Sequence, residues 1–129
     1  MAPRIRQVVA FAAQPERVFD ELLDAEHFAG FSGAPAVIGR HSGDVFSLFG
    51  DQIQGRQLEI VPAELIVQAW RVASWNRGVF SIVRFELTPD LNGTTITFDQ
   101  VGFPEEAHDD LDAGWHQMYW EPMRRHLEA

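Results

Sequence analysis

Few polar side chains in this sequence are placed to do chemistry, and they form no familiar catalytic pattern. Residues 30–33 (Gly-Phe-Ser-Gly) approach a nucleophile elbow, but their spacing is wrong and they precede a loop rather than join a strand to a helix. His108 and Asp112 are one helical turn apart, which is half of a metal site, yet no second pair accompanies them. The chain has no cysteine, and all ten basic residues are arginine, which excludes thiol and Schiff-base chemistry. We expect no catalytic residues, no metal and no cofactor.

An apolar pocket with a few orienting polar groups fits the residue types better. Gln68 and Gln100 occupy inward positions in predicted strands, where a buried amide needs a hydrogen-bond partner. They bond either to protein and water or to a bound molecule, and both alternatives stay open. His27 lies beside Phe28 and Phe31 on a short predicted helix. As a neutral imidazole it could orient a ligand hydroxyl or carboxylate, or be purely structural.

The remaining candidates are apolar side chains on the same inward faces. Such residues either pack a core or line a pocket, because the periodic pattern is the same in both cases. The candidate ligand-binding set is His27, Phe28, Phe31, Phe46, Gln68, Trp70, Val83, Phe85, Phe98, Gln100, Trp115 and Tyr119. Trp75 differs, since it precedes a turn at residues 76–78, where it could fold back over a cavity rim or anchor a partner protein.

The elements that would position these residues follow from periodicity and turn signals. A strand at residues 5–11 precedes a helix opened by Pro15 and a second short helix capped by Asp24. Runs at residues 45–49, 53–61, 65–74, 79–88 and 94–101 are separated by short turns, which is typical of antiparallel hairpins. Residues 105–127 form an amphipathic helix, which Pro122 should kink. The pattern indicates an α+β fold with five or six successive strands, whose curved antiparallel sheet grips the last helix and leaves a cavity.

Composition narrows the class of protein further. A length of 129 residues without a linker predicts one domain, residues 1–129. A net charge of −9 argues against nucleic acid and anionic membranes as partners. No apolar run is long enough for a signal peptide or a membrane span, so we expect a cytoplasmic protein. Ten arginines without lysine suggest a bacterial source with GC-rich DNA.

Several sequence strings together resemble one protein family. They are residues 58–62 (Leu-Glu-Ile-Val-Pro), 66–71 (Ile-Val-Gln-Ala-Trp-Arg), 74–78 (Ser-Trp-Asn-Arg-Gly), 101–104 (Val-Gly-Phe-Pro), 114–115 (Gly-Trp) and 119–122 (Tyr-Trp-Glu-Pro). From residue 7 to 127 the chain resembles the C-terminal domain of the activator of heat-shock-protein-90 ATPase, within the START-like (SRPBCC, helix-grip) superfamily. This resemblance implies a seven-stranded antiparallel sheet around a C-terminal helix, with a cavity between them. Along the chain, the expected order of secondary-structure elements is β-α-α-β(6)-α.

Three functions remain open from the sequence. The first is a non-enzymatic carrier or sensor of a small, mostly apolar molecule, held in the cavity. The second, implied by the resemblance, is a co-chaperone-like interaction module that uses Trp75. The third is a cyclase-like or hydrolase-like enzyme with His27 as general base, or with Glu59 if a bulge turns that residue inward. Bare sheet edges and exposed aromatic side chains also make a homodimer plausible.

Overall fold

The computed structural model describes residues 3–128, which form one curved antiparallel sheet with helices packed on its concave side. The seven strands lie in the spatial order β1-β7-β6-β5-β4-β3-β2. They are β1 Arg4–Phe11, β2 Val37–Ile38, β3 Val45–Leu48, β4 Ile53–Val61, β5 Leu65–Val72, β6 Ser81–Asp90 and β7 Gly93–Val101. The predicted α+β helix-grip architecture is confirmed.

Two short helices follow β1, and a long helical segment ends the chain. The first two are α1 Pro15–Leu23 and α2 Ala25–Ser32. Pro15 occupies the first turn of α1, and the side chain of Asp24 accepts hydrogen bonds from the first turn of α2. The last segment comprises a 3₁₀ turn Glu105–Ala107, α3 His108–Gly114, a π-helical turn Trp115–Trp120 and α4 Glu121–Leu127. Among residues 3–128, no helix has the length and apolar character needed to cross a bilayer.

Alternation along the strands correctly predicts which side chains face the helices. Ser81, Val83, Phe85 and Leu87 of β6 are all buried, as expected from one face of a pleated strand. Ile96, Phe98 and Gln100 of β7 and Ile66, Gln68 and Trp70 of β5 are buried likewise. The concave face of the sheet therefore carries the core.

The connection between β5 and β6 is longer than the sequence predicts. The expected runs ended at residue 74 and resumed at residue 79, whereas β5 ends at Val72 and β6 begins at Ser81. The guanidinium of Arg71 donates hydrogen bonds to four carbonyl oxygens of the intervening backbone. These belong to Ala73, Trp75, Asn76 and Val79, at distances of 2.8 to 3.3 Å. Because these carbonyl groups bond to Arg71, they do not pair with a neighbouring strand, and β5 ends at Val72.

The irregularity of the C-terminal helix lies before Pro122 rather than at it. Pro122 sits in the first turn of α4, where a missing N–H is tolerated. The preceding turn, Trp115–Trp120, is π-helical, and the N–H of Glu121 reaches back to the carbonyl of His116. A π turn inserts an extra residue and widens the helix, which makes room for a proline ring that clashes with an ordinary α turn. An irregular helical turn is therefore present immediately before Pro122.

Candidate functional site

Aromatic rings occupy the centre of the space between the sheet and the C-terminal helix. The ring centroid of Trp115 lies 4.2 Å from that of Phe98 and 4.3 Å from that of Tyr119. The rings of Phe85 and Phe98 are 5.2 Å apart. A void of about 10 Å³ remains beside Gln68, which is about the space of one water molecule. The middle of the predicted cavity is thus a packed core.

An open pocket of about 160 Å³ remains at one end of this space. It lies between the paired ends of β4 and β5 on one side and α3 with the π-helical turn on the other. The lining is mostly apolar and consists of Phe49, Gln52, Ile53, Trp70, Val72, Asp110, Leu111, Gly114, Trp115, Met118 and Tyr119. A pocket of this volume is large enough for a molecule about the size of benzene.

The predicted ligand-binding residues separate into three groups by position. Those on the wall of the open pocket are Trp70, Trp115 and Tyr119. Those around the small internal void, besides Tyr119, are Phe28, Phe46, Gln68 and Phe85. Those that line neither space are His27, Phe31, Val83, Phe98 and Gln100. The other pocket residues lie outside the predicted set; Phe49, for example, lies in a turn, where no alternation marks a face.

The two predicted inward amides bond to protein groups. Gln100 is fully buried, accepts from the Trp115 indole N–H at 2.8 Å, and donates to the Ser81 hydroxyl at 3.0 Å. Ser81 in turn donates to the backbone carbonyl of Trp70 at 2.8 Å. Gln100 therefore fixes the Trp115 ring that forms the back wall of the pocket.

The partner of Gln68 is Gln57, which lies just before a β-bulge. The register of β4 against β5 shifts between Gln57 and Glu59, so Gln57 keeps the inward phase of Gly55 while Ile60, three residues further on, also packs against the core. The fully buried Gln57 accepts from Gln68 at 3.1 Å and donates to the carbonyl of Gly39 at 3.1 Å. The bulge that would have brought Glu59 inside exists, but Glu59 is exposed. The expected alternative of an inward Glu59 general base is thus wrong.

Trp70, a residue of the pocket wall, has an unusual buried indole N–H. The residue is only 3% exposed, and its indole N–H has no hydrogen-bond acceptor within the described part of the chain. The other two buried indoles each have a dedicated glutamine, Gln100 for Trp115 and Gln7 for Trp120. Buried N–H groups are nearly always paired in native proteins, so this exception needs an explanation.

Tyr119 is the second polar side chain of the inner wall. Burial raises the pKa of its phenol well above the usual value of 10.0, so the hydroxyl stays protonated at neutral pH. The Trp70 indole lies close enough to limit this rise in pKa, yet the two groups do not meet in hydrogen-bond geometry. The inner wall therefore combines a neutral hydroxyl and an unpaired N–H.

At the mouth of the pocket, one turn has a strained backbone and the facing helix carries a glycine. Phe49, Gly50 and Asp51 have positive φ angles of 54°, 62° and 72°, a conformation that residues other than glycine rarely adopt. This turn holds the Phe49 ring 5.8 Å from that of Tyr119. Opposite, a Cβ placed on Gly114 would meet no atom within 4 Å. Backbone strain at such positions is common in ligand sites.

His27 lies away from the pocket, in a cluster of partly exposed side chains around the buried Glu21. The carboxylate of Glu21 is fully buried and lies 2.7 Å from Arg17 Nη1 and 2.5 Å from His126 Nδ1. His27 Nδ1 is 3.7 Å from the same carboxylate. His126 carries no signal in the sequence, and its contact with Glu21 joins α4 to α1. The geometry supports a structural role for His27.

The remaining predicted features take structural positions. His108 Nδ1 lies 2.9 Å from Asp109, and Asp112 accepts from Gln7 at 3.0 Å, so the two do not face a shared site. Among the described residues, no three acidic or imidazole side chains converge as metal ligands. Trp75 is half-buried and folds back onto Trp70, with ring centroids 6.0 Å apart.

Comparison with known proteins gives a consistent family relationship. A family model described as "Activator of Hsp90 ATPase homolog 1-like protein" matches residues 12–128. An activator of 90 kDa heat shock protein ATPase homolog from Dictyostelium discoideum is 28% identical over 106 residues, which are 81% of this chain and 28% of that protein. The human homolog 1 is 24% identical over 115 residues, covering 89% of this chain and 34% of that protein. The chain thus spans about a third of the length of these curated relatives.

Solved structures share the architecture over nearly the whole chain. A protein from Mesorhizobium loti superposes with a TM-score of 0.84 at 20% identity, covering 98% of this chain and 97% of that one. An HSP90 activator from Plasmodium falciparum superposes with a TM-score of 0.79 at 25% identity, covering 92% and 90%. A protein from the dynemicin biosynthetic locus has a TM-score of 0.82 at 22% identity, covering 98% of this chain and 47% of that one.

Proposed function

Because this chain belongs to the family of Activator of Hsp90 ATPase homolog 1-like proteins, whose helix-grip fold here leaves an apolar pocket open, we propose that it binds a small molecule. The ligand is mostly apolar, and the protein acts as a non-enzymatic carrier or sensor. The observation that carries this proposal is the open apolar pocket of 160 Å³, whose wall includes Trp70, a residue with a buried and unpartnered N–H.

The chemistry of the lining supports binding rather than catalysis. Aromatic and aliphatic walls favour an apolar ligand by about 25 cal/mol for each Å² removed from water. The ionisable side chains of the lining are Asp110, which is exposed, and Tyr119, whose pKa is raised by burial. No general acid and base face one another across this pocket, and His27 and Glu59 lie elsewhere.

Filling the pocket at Gly114 tests the site directly. Gly114 has a helical backbone, with φ −62° and ψ −36°, and open space where a Cβ would stand. Gly114→Leu is therefore expected to fold normally and to occupy part of the pocket. We expect at least a tenfold weaker affinity for ethylbenzene, estimated at roughly 1.4 kcal/mol of lost binding free energy, measured by calorimetry.

Gly114→Ala is the matched control for this substitution. One added methyl group leaves most of the pocket open, and replacing a mid-helix glycine should stabilise the fold by about 1 kcal/mol. Ethylbenzene affinity should stay within about twofold of the parent, because one methyl group occupies only a small part of the 160 Å³ pocket. If the leucine and alanine variants bind ethylbenzene equally well, the ligand binds at another site. If the parent protein does not bind ethylbenzene, the proposed function is wrong.

A second candidate function is contact with a chaperone of the Hsp90 class. It is favoured by the family and by the printed names of the human and Plasmodium falciparum relatives, which describe Hsp90 activators. Trp75 is the proposed anchor, because its half-exposed ring stands on a loop that Arg71 holds rigid through four carbonyl oxygens.

The chaperone proposal predicts a change in ATP turnover. Adding this protein to a purified Hsp90-class chaperone should alter its steady-state ATPase rate, and Trp75→Ala should remove most of that change. Leu91→Ala is the control, since Leu91 is fully exposed at the β6–β7 turn, remote in sequence from the loop of Trp75. An ATPase rate that the parent protein leaves unchanged would count against this function.

A further inference from the structure

We infer that the pocket selects a neutral molecule bearing a hydrogen-bond acceptor such as a carbonyl oxygen. The Trp70 indole N–H is the group that donates a hydrogen bond to this acceptor. This inference rests on the proposed function, namely that the pocket lined by Trp70 holds a small apolar molecule. It adds the chemical class of the ligand and names the residue that sets it.

The comparison of the three buried indoles carries the first step. Trp115 donates to Gln100 at 2.8 Å and Trp120 donates to Gln7 at 2.6 Å. Trp70 has no acceptor among the described residues, and it lines the open pocket. Since a buried N–H left unpaired is costly, a ligand acceptor at this position would recover the lost interaction. A purely hydrocarbon ligand would leave it unpaired.

The charge of the lining decides against an anionic acceptor. Asp110 is the charged side chain on the wall, and Asp109 and Asp112 flank it on the same helix. A carboxylate ligand would face these acids without a basic side chain in the lining to compensate it. A neutral carbonyl offers the same hydrogen-bond acceptor without this repulsion.

The volume and the neighbouring hydroxyl limit the ligand further. About 160 Å³ fits one ring with a short substituent. The Trp70 nitrogen is covered, so an acceptor reaches it by a small displacement of the adjacent Tyr119 side chain. The Tyr119 hydroxyl is then a second donor beside the same acceptor, which suits a carbonyl oxygen with two lone pairs.

Two probes of similar shape distinguish the contribution of the hydrogen bond to binding from that of apolar burial. Acetophenone and ethylbenzene have similar shapes and differ in the carbonyl group, and benzoate adds a negative charge. We expect acetophenone, but not ethylbenzene, to move the Trp70 indole N–H resonance downfield in a ¹H–¹⁵N NMR spectrum. The Trp120 indole, bonded to Gln7, is the internal reference and should stay in place. Benzoate should bind at least about tenfold more weakly than acetophenone.

Trp70→Phe removes the donor and keeps an aromatic ring. In this variant, the dissociation constant of acetophenone relative to that of ethylbenzene should rise about tenfold, which matches the loss of one buried hydrogen bond. If neither probe binds the parent protein, the proposed function itself fails. If both bind and this ratio is unchanged in Trp70→Phe, the pocket stands and the donor role is wrong. Should the variant not fold, an unmoved Trp70 resonance in the parent protein with acetophenone overturns the inference.

Discussion

The variant Gly55→Ala is expected to lose about 3 kcal/mol of unfolding free energy, the upper range for an overpacked core position. Gly55 lies inside β4, where it is paired with Phe46 of β3 and Trp70 of β5. A Cβ there would overlap the backbone carbonyl oxygen of Ala69 and the ring of Phe46. The added methyl group has no space on either side.

Relief of this overlap requires movement of the sheet itself. The Ala69 carbonyl belongs to the β4–β5 pairing and cannot retreat without weakening that ladder. The Phe46 ring is buried against the core, so its displacement would also disturb β3 and the neighbouring edge strand β2. Because Trp70 is paired with Gly55, the pocket wall should shift with the strand.

Urea denaturation measures this effect, and Gly114→Ala is the control with the opposite sign. Both variants add one methyl group to a glycine, but only the one at Gly55 meets backbone atoms. The Gly55 variant should melt roughly 10 °C lower, whereas the Gly114 variant should melt a few degrees higher. A loss below about 1 kcal/mol at Gly55 would show that the strand yields more easily than its contacts indicate.

Glu21→Ala is expected to cost about 2 kcal/mol, within the range for hydrogen bonds to a charged group, because it removes a buried acceptor and leaves its partly exposed partners to water. The carboxylate is fully buried and contacts Arg17 within α1, His27 on α2 and His126 on α4. Its removal leaves a cavity and frees three nitrogen-bearing side chains from the group that aligns them. We expect the three helices to separate more readily in the variant.

Hydrogen exchange and chemical denaturation together test this clamp. Backbone amides of α4 should exchange faster in Glu21→Ala, because the His126 contact ties that helix to α1. Glu16→Ala is the matched control, since Glu16 is an exposed acid on the same helix and should change stability by less than about 0.5 kcal/mol. Similar effects for both variants would mean that the buried cluster stabilises little.

Most of the fold could be predicted from local patterns. Alternation identified the buried faces of β5, β6 and β7, and short turns identified antiparallel pairing. These predictions succeed because the side-chain period of a strand and the length of a turn are properties of neighbouring residues. An error appeared where a side chain bonds to the loop that follows its own strand, as at the end of β5, where Arg71 donates to four carbonyl oxygens.

The candidate site was predicted only in part. Trp70, Trp115 and Tyr119 were identified as inward or helix-face aromatics, and the structure brings them together at one pocket. Phe49 was missed, because its position over the pocket depends on a turn with positive φ. Gln57 was missed because a bulge after it breaks the alternation of β4, so that Gln57 and Ile60 both face inward although they are three residues apart.

Local sequence patterns were sufficient for the order of the strands and helices and for most of the faces that they bury. The tertiary structure alone decided which buried aromatics fill the core and which leave a pocket, since that depends on summed side-chain volumes and on how closely the helix approaches the sheet. It also decided that Trp115 and Trp120 find glutamine acceptors while Trp70 does not. Hydrogen-bond partners 15 and 113 residues apart are chosen by packing, and no local period records them.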